Sequence, residues 1–139
     1  MRVHLTAALA VVLAAGALMI PASARASGEG QFRTPSGNIG CAYYERVLRC
    51  DVRDGVRPLP PQPPSCQLDW GQGFWLHEHG AAHIVCAGDT ALNPTASVVR
   101  YGTTWQGGRI SCTSSPSGLR CTNADRHGFF LSRGEAYRF

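Results

Sequence analysis

Three residues near the C-terminus have side chains that could carry out acid–base chemistry, namely Asp125, His127 and Arg133. A histidine can take up and return a proton near neutral pH, and an arginine can stabilise developing negative charge. Small secreted nucleases combine these groups, so a small hydrolase centred on His127 and Arg133 is one hypothesis for the function. The alternative interpretation is a turn histidine, a capping aspartate and a surface arginine.

A second group of histidines has the residue types of a metal site. His77, His79 and His83 surround Glu78, which could act as a base beside a bound metal ion. However, Gly80 puts His79 at the tip of a predicted turn and His83 on the returning strand, so nothing fixes the three imidazoles around one point. We interpret this segment as a solvated polar tip and expect neither a metal nor a cofactor.

An internal repeat predicts the scaffold that must position these side chains. Residues 37–41 and 108–112 share the pattern Gly-x-Ile-x-Cys, and each is followed by eight residues and a further cysteine. Because both second cysteines end a Leu-Arg-Cys triplet, the two segments match in anchor residues and in loop length. The pattern predicts two equivalent β-hairpins, each closed by a disulfide.

The register of each hairpin follows from placing its cysteines opposite each other. Pairing Cys41 with Cys50 puts apolar residues on one face of the first hairpin, and pairing Cys112 with Cys121 gives a weaker but consistent pattern in the second. Residues 115–118 form a good turn, whereas residues 44–47 lack Gly, Asn and Pro and form a poor one. By elimination, the third predicted disulfide joins Cys66 and Cys86.

The first 26 residues have the features of a secretory signal peptide. Arg2 precedes an apolar run over residues 5–20, and small residues follow, so cleavage is expected after Ala26, with Ala24 as the second choice. We therefore expect an N-terminal signal helix, contact with the membrane only before cleavage, and a single secreted domain over residues 27–139. Six cysteines, an even number, fit an oxidising extracellular environment.

Composition favours an all-β fold. The chain has 16 Gly and 9 Pro and only 16% charged residues, which disfavours a helical bundle. We predict a small, disulfide-stapled antiparallel sheet, sandwich or partial barrel, with a third strand pair over residues 73–87 and a last strand after Gly128. The proline-rich residues 57–64 should form an extended strap outside the sheets.

Charge does not point to nucleic acid. The formal net charge is +4, and all 13 basic residues are arginines. These arginines are scattered among acidic residues, with no basic run to follow a phosphate backbone. Arg49 and Arg120 occupy matching positions on the polar faces of the two hairpins, so a paired anion site is one hypothesis for this chain.

A binding module is the favoured function class, because no complete catalytic constellation is visible. Such a module would use an edge strand or an exposed tryptophan surface to bind a cell-envelope component or another exported protein. The candidate tryptophans are Trp70, Trp75 and Trp105.

Several motifs together resemble a known family. They lie in residues 34–41, 48–51, 86–90, 101–102, 121–123 and 127–133. The chain resembles, from about residue 32 to its end, a domain-of-unknown-function family of small exported proteins, mostly of high-GC Gram-positive bacteria. His127 and Arg133 match the family pattern, whereas the cluster around Glu78 does not. The resemblance implies a secreted, cysteine-stapled protein and implies no activity.

Overall fold

Alternating apolar residues build two six-stranded sheets that pack face to face. The structure is a computed structural model, and it describes the backbone of residues 25–27 and all of residues 30–139. This part of the chain is all β, without a helix, so it offers no helix that could cross a membrane. The predicted signal helix lies outside the described residues.

The first sheet, sheet A, contains the second predicted hairpin. Its spatial order is β1 (Arg25–Ser27), β8 (Thr104–Gly107), β9 (Ile110–Ser115), β10 (Gly118–Thr122), β11 (Gly128–Leu131) and β12 (Ala136–Arg138). All its neighbouring strands are antiparallel except β1 and β8, which are parallel.

The second sheet, sheet B, contains the first predicted hairpin and the third predicted strand pair. Its spatial order is β6 (His83–Cys86), β5 (Trp70–His77), β4 (Val47–Val52), β3 (Ile39–Tyr44), β2 (Gly30–Arg33) and β7 (Ser97–Val98). Its neighbouring strands are antiparallel except β2 and β7, which are parallel.

Aromatic contacts join the two sheets in one core. The ring of Phe74 in sheet B lies 5.4 Å from that of Phe129 in sheet A, and the ring of Phe32 stacks 4.6 Å from that of Trp105. All four side chains are buried. Every second residue of these strands points inward, so burial of one face of each sheet fixes the strand register. The fold is therefore a β-sandwich.

Both repeated hairpins have the predicted register. Cys41 lies opposite Cys50 and Cys112 opposite Cys121, and each pair forms a disulfide with no exposure to solvent. The remaining disulfide joins Cys66 to Cys86, which ties the segment before β5 to the end of β6. The proline-rich strap precedes this disulfide and lies outside the strands.

The turn between β3 and β4 corrects the expectation of a poor turn. Glu45 and Arg46 both have positive φ angles, 48° and 67°, and they form a tight two-residue connection. Such hairpin turns usually contain Asn or Gly, because the left-handed region is sterically costly for other residues. The Arg46 guanidinium binds the Glu78 carboxylate, a contact that holds the turn against the end of β5.

The predicted cleavage site falls within β1. Cleavage after Ala26 would remove two of the three residues of that strand and leave Ser27. Since β1 is the outer neighbour of β8 in sheet A, export would expose the β8 edge.

Candidate functional site

The outer face of sheet B carries a buried arginine. Arg49 in β4 points away from the core and is only 6% exposed. Its Nε and Nη2 donate to Oδ1 and Oδ2 of Asp51 at 3.0 and 2.8 Å, the two-bond geometry in which arginine binds carboxylates most strongly. Its Nη1 donates to Oδ1 of Asp89 at 2.6 Å. Although burial opposes the charge, these carboxylates raise the pKa of Arg49 above its ordinary value.

This ion cluster fastens the chain segment after β6 across the sheet. Asp51 Oδ2 accepts hydrogen bonds from the Ala91 amide at 2.8 Å and from the Thr90 hydroxyl at 3.1 Å. Gly40 in β3 permits the close approach, since a Cβ there would lie 2.7 Å from the Ala91 carbonyl oxygen. The polar face of the first hairpin is therefore covered by residues 87–94, which we call the cover segment.

A groove opens between the cover segment and the turn after β3. It has a volume of about 410 Å³, and its wall and floor include Tyr44, Val47 and Trp75. Tyr44 is 65% exposed, and the Arg49 guanidinium lies 5.2 Å from the Trp75 ring centre. Two acidic residues, Glu45 and Asp89, also line this groove, which we call the Trp75 groove.

Glu78 is a buried carboxylate directly after the end of β5. Its Oε1 accepts a hydrogen bond from the Tyr43 hydroxyl at 3.1 Å, and its Oε2 accepts one from Arg46 Nε at 3.0 Å. The hydrogen bond from Arg46 is the main cause that lowers the pKa of Glu78 below its ordinary value. Glu78 thus acts as a fixed negative charge rather than as the base of a metal site.

The histidine and aspartate candidates meet at one end of the sandwich. His79 Nδ1 lies 3.0 Å from Asp125 Oδ1, and the Gly80 amide donates to Asp125 Oδ2 at 2.9 Å. The Gly80 amide, followed by His79, lowers the pKa of Asp125 below its ordinary value. His127 is exposed and follows in the same turn. These contacts define a solvent-facing His–Asp pair that sequence reasoning did not predict, because its members are distant in the chain.

Arg133 lies apart from this pair. His127 precedes β11 and Arg133 follows it, so the two residues flank opposite ends of that strand. At about 3.3 Å per residue along a strand, their backbones are roughly 15–20 Å apart. Arg133 instead lines a smaller cavity together with residues of the turn between β9 and β10. The structure therefore does not bring the hydrolase candidates around one reaction centre.

Arg49 and Arg120 do not form a paired anion site. They occupy equivalent hairpin positions, but on the outer faces of opposite sheets with the core between them. Arg49 is already bound by two carboxylates, and the Arg120 guanidinium stacks 3.8 Å from the Phe139 ring centre. The hypothesis failed because equal positions in repeated hairpins face in opposite directions once the two sheets pack.

The three tryptophan candidates have different environments. Trp105 is 4% exposed and packs between Phe32 and Tyr43, so the expectation of an exposed Trp105 surface is wrong. Trp70 is half-buried, and its indole donates to the Pro60 carbonyl oxygen of the proline-rich strap at 2.9 Å. Trp75 is half-buried and lines one groove together with the exposed Tyr44.

In residues 25–27 and 30–139, no three His, Cys, Asp or Glu side chains are arranged to hold a metal ion. His77 and His83 are exposed, and Glu78 is bound by Tyr43 and Arg46. The histidine segment is therefore organised by hydrogen bonds to protein groups.

Two sheets, a shared apolar core and three disulfides define a disulfide-stabilised β-sandwich protein with a covered outer face. A family model matches residues 8–139, and the chain belongs to that family, DUF6636, a family of unknown function. No curated protein and no solved structure matches the chain. The site therefore has to be interpreted from its own geometry.

Proposed function

We propose that the protein is a secreted, non-catalytic binding module that holds a cationic group of an extracellular partner in the Trp75 groove. The partner is an amine-bearing cell-envelope component or a basic segment of an exported protein. The observation that carries this proposal is the combination of two aromatic side chains with two acidic ones in a single groove.

The aromatic side chains provide the first part of the recognition. Cations are attracted to the faces of Trp and Tyr rings, and aromatic cages bind ammonium groups in this way. Tyr44 offers a largely exposed ring, and Val47 supplies apolar surface beside it for the aliphatic stem of a lysine or arginine. The buried Arg49 guanidinium contacts the Trp75 ring and helps to hold it in position.

Charge provides the second part. The Arg49 charge is balanced by Asp51, so the remaining acidic residues, Asp89 and Glu45, leave the groove negative. The side chain of Asp89 is 83% exposed although it contacts Arg49, so its carboxylate is accessible to a ligand. A positive ligand is therefore favoured over a negative one, and its binding should weaken as salt is added.

The disulfides and the N-terminal sequence both support a location outside the cell. Three disulfides are compatible with an extracellular protein. We propose export by a signal peptide that is removed after Ala26, as the sequence pattern over residues 1–26 predicts. N-terminal sequencing of the exported protein tests this step, and an N-terminus at Met1 would contradict it.

A titration with small probes tests the recognition. Acetylated trilysine amide should shift the NMR signal of the Trp75 indole N–H in a saturable way, and acetylated triserine amide should not. The signal is assigned with Trp75→Phe. Equal shifts with both peptides, or no shift with either, would exclude recognition of a cation in this groove.

A small hydrolase is the second candidate function, and the His79–Asp125 pair beside His127 favours it. Hydrogen bonding to a carboxylate orients an imidazole, as a general acid or base requires. If this candidate is correct, His127→Ala and His79→Ala will each abolish a hydrolytic activity that the wild-type protein shows. Retention of that activity in both variants would exclude the candidate.

A further inference from the structure

A second cavity on sheet B, beside the cover segment, is lined by two arginines. Arg33 lies at the end of β2 and points away from the core, opposite in direction to the buried Phe32. Arg53 directly follows β4, and its amide donates to the Asn38 carbonyl oxygen. Both arginines line a cavity of about 480 Å³, whose other wall is formed by residues 92–94.

The two guanidinium groups lack the carboxylate partners that other arginines of this face have. Arg46 and Arg49 form ion pairs, whereas Arg33 and Arg53 form none with the described residues. The Nε atom of Arg33 is buried and has no hydrogen-bond partner in this part of the chain. The Arg53 side chain donates to the Gly37 carbonyl oxygen, at 3.3 Å.

An unpaired charge in a partly enclosed cavity is unfavourable unless a counter-charge enters it. No acidic residue is among those that line this cavity in the described chain. The amide group of Asn93 is already used, because it donates to Gln31 and accepts from Thr95. The lining therefore carries positive charge that no acidic residue of the lining offsets, and a negatively charged ligand fits it.

The shape and number of the donors indicate the kind of anion. Arginine presents a planar fork of N–H groups that matches the oxygens of phosphate and carboxylate, and two forks can balance two negative charges. Gly37 borders the cavity with open space beside it, since a Cβ there would meet no atom within 4 Å. The contact between Gly40 and Ala91 fixes the opposite wall, because it holds the cover segment against the sheet.

We propose that Arg33 and Arg53 form a binding site for a phosphate-type oxyanion, either free phosphate or a phosphate group of an envelope polymer. The site is separate from the Trp75 groove, and it takes a ligand of opposite charge. Its test therefore stands independently of the proposed function.

The experiment is an NMR titration of the protein with sodium phosphate, followed through the backbone amides of Gly37 and Gly40. Phosphate should give saturable shifts that sodium chloride at equal ionic strength does not reproduce. Arg33→Gln and Arg53→Gln should each weaken binding about tenfold, the loss expected for one hydrogen bond between charged groups. Arg109→Gln is the matched control, because Arg109 is exposed on the turn between β8 and β9, and it should change the affinity less than about twofold.

Further arms identify the source of the anion. Dimethyl phosphate mimics a phosphodiester in a polymer, so its binding would assign the site to such a polymer, and binding of inorganic phosphate alone would assign it to the free ion. If Arg33→Gln unfolds the protein, Arg53→Gln still provides the test, since Arg53 is exposed and outside the strands. The proposal is overturned if sodium chloride gives the same shifts, or if phosphate binds Arg53→Gln as well as the wild-type protein.

Discussion

The guanidinium of Arg49 lies 5.2 Å from the centre of the Trp75 ring, and the two residues are direct neighbours across β4 and β5. This contact joins the buried ion cluster under the cover segment to the aromatic groove beside it. Arg49 is held on its other sides by Asp51 and Asp89, so its position is fixed by several bonds at once. The Arg49 side chain therefore belongs to the ion cluster and also contacts the proposed binding groove.

Replacement of Arg49 should show how much the ion cluster contributes to stability. Arg49→Gln leaves the buried Asp51 carboxylate without its main partner, so we expect the free energy of unfolding to fall by about 3 kcal/mol. Arg120→Gln is the matched control from the equivalent position of the second hairpin, and its exposed contact with Phe139 should contribute at most about 1 kcal/mol. Urea denaturation of both variants measures the difference. Equal losses would show that the cluster under the cover segment contributes little.

Glu78 should make stability depend on pH in the acidic range. Its pKa is lowered in the folded protein, chiefly by the hydrogen bond from Arg46, so the folded state favours the ionised form. This stabilisation is present above the unfolded pKa, near 4.5, and is lost as the pH falls through the lower folded value.

Glu78→Gln should therefore be less stable than the wild-type protein at pH 7, and the difference should shrink as the pH falls below about 4. Denaturation of both proteins at several pH values tests this expectation. Glu135→Gln removes an exposed carboxylate and serves as the control. A difference that stays constant down to pH 2 would contradict the assigned role of Glu78.

Replacement of Asn123 should destabilise the protein more than replacement of His127. Its Nδ2 donates to the carbonyl oxygens of His77 and Gly80, and its Oδ1 accepts from the amides of Asp125 and His127. Because Asn123 is buried, Asn123→Ala leaves several polar groups unsatisfied and should cost about 2–4 kcal/mol. His127→Ala removes only an exposed side chain and should change stability by less than about 0.5 kcal/mol. Thermal unfolding compares the two, and the reverse order would contradict this assignment.

The hairpin disulfides should contribute similarly to stability. Each closes a loop of the same sequence separation, nine residues, and each is buried in the same core. Replacing both cysteines of either pair with alanine should cost about 2–4 kcal/mol. Mass spectrometry of non-reduced digests provides the direct check of the pairing. A bridge that links one hairpin to the other would contradict both the repeat and the fold.

The sequence predicted the parts of the fold that depend on local patterns. Repeated cysteine spacing and alternation with period two are sufficient to align Cys41 with Cys50 and Cys112 with Cys121, because one slipped residue would turn the apolar face outward. The turn at Glu45 and Arg46 was misjudged, because the partner that stabilises it, Glu78, is distant in the chain.

The candidate site was less predictable, since it depends on how distant segments pack. No local pattern indicates that residues 87–94 cross the outer face of sheet B, or that Gly40 is the position that lets them do so. For the same reason Arg49 was predicted on an open polar face but is buried, and Arg33 and Arg53 carried no signal as a pair. Residue types were informative about chemistry, whereas the sheet packing decides which of them meet.

The affinity of acetylated trilysine amide for a double variant, Tyr44→Ala with Glu45→Gln, tests the Trp75 groove most directly. The double variant lacks one aromatic ring and one carboxylate, and each group should contribute about 1 kcal/mol to the free energy of binding. Binding should therefore weaken at least about tenfold. The matched control is Tyr101→Ala with Glu135→Gln, which removes an exposed tyrosine and an exposed glutamate elsewhere on the surface. This control should bind trilysine with the affinity of the wild-type protein. Equal affinities of the groove variant and the control would contradict cation binding in the Trp75 groove.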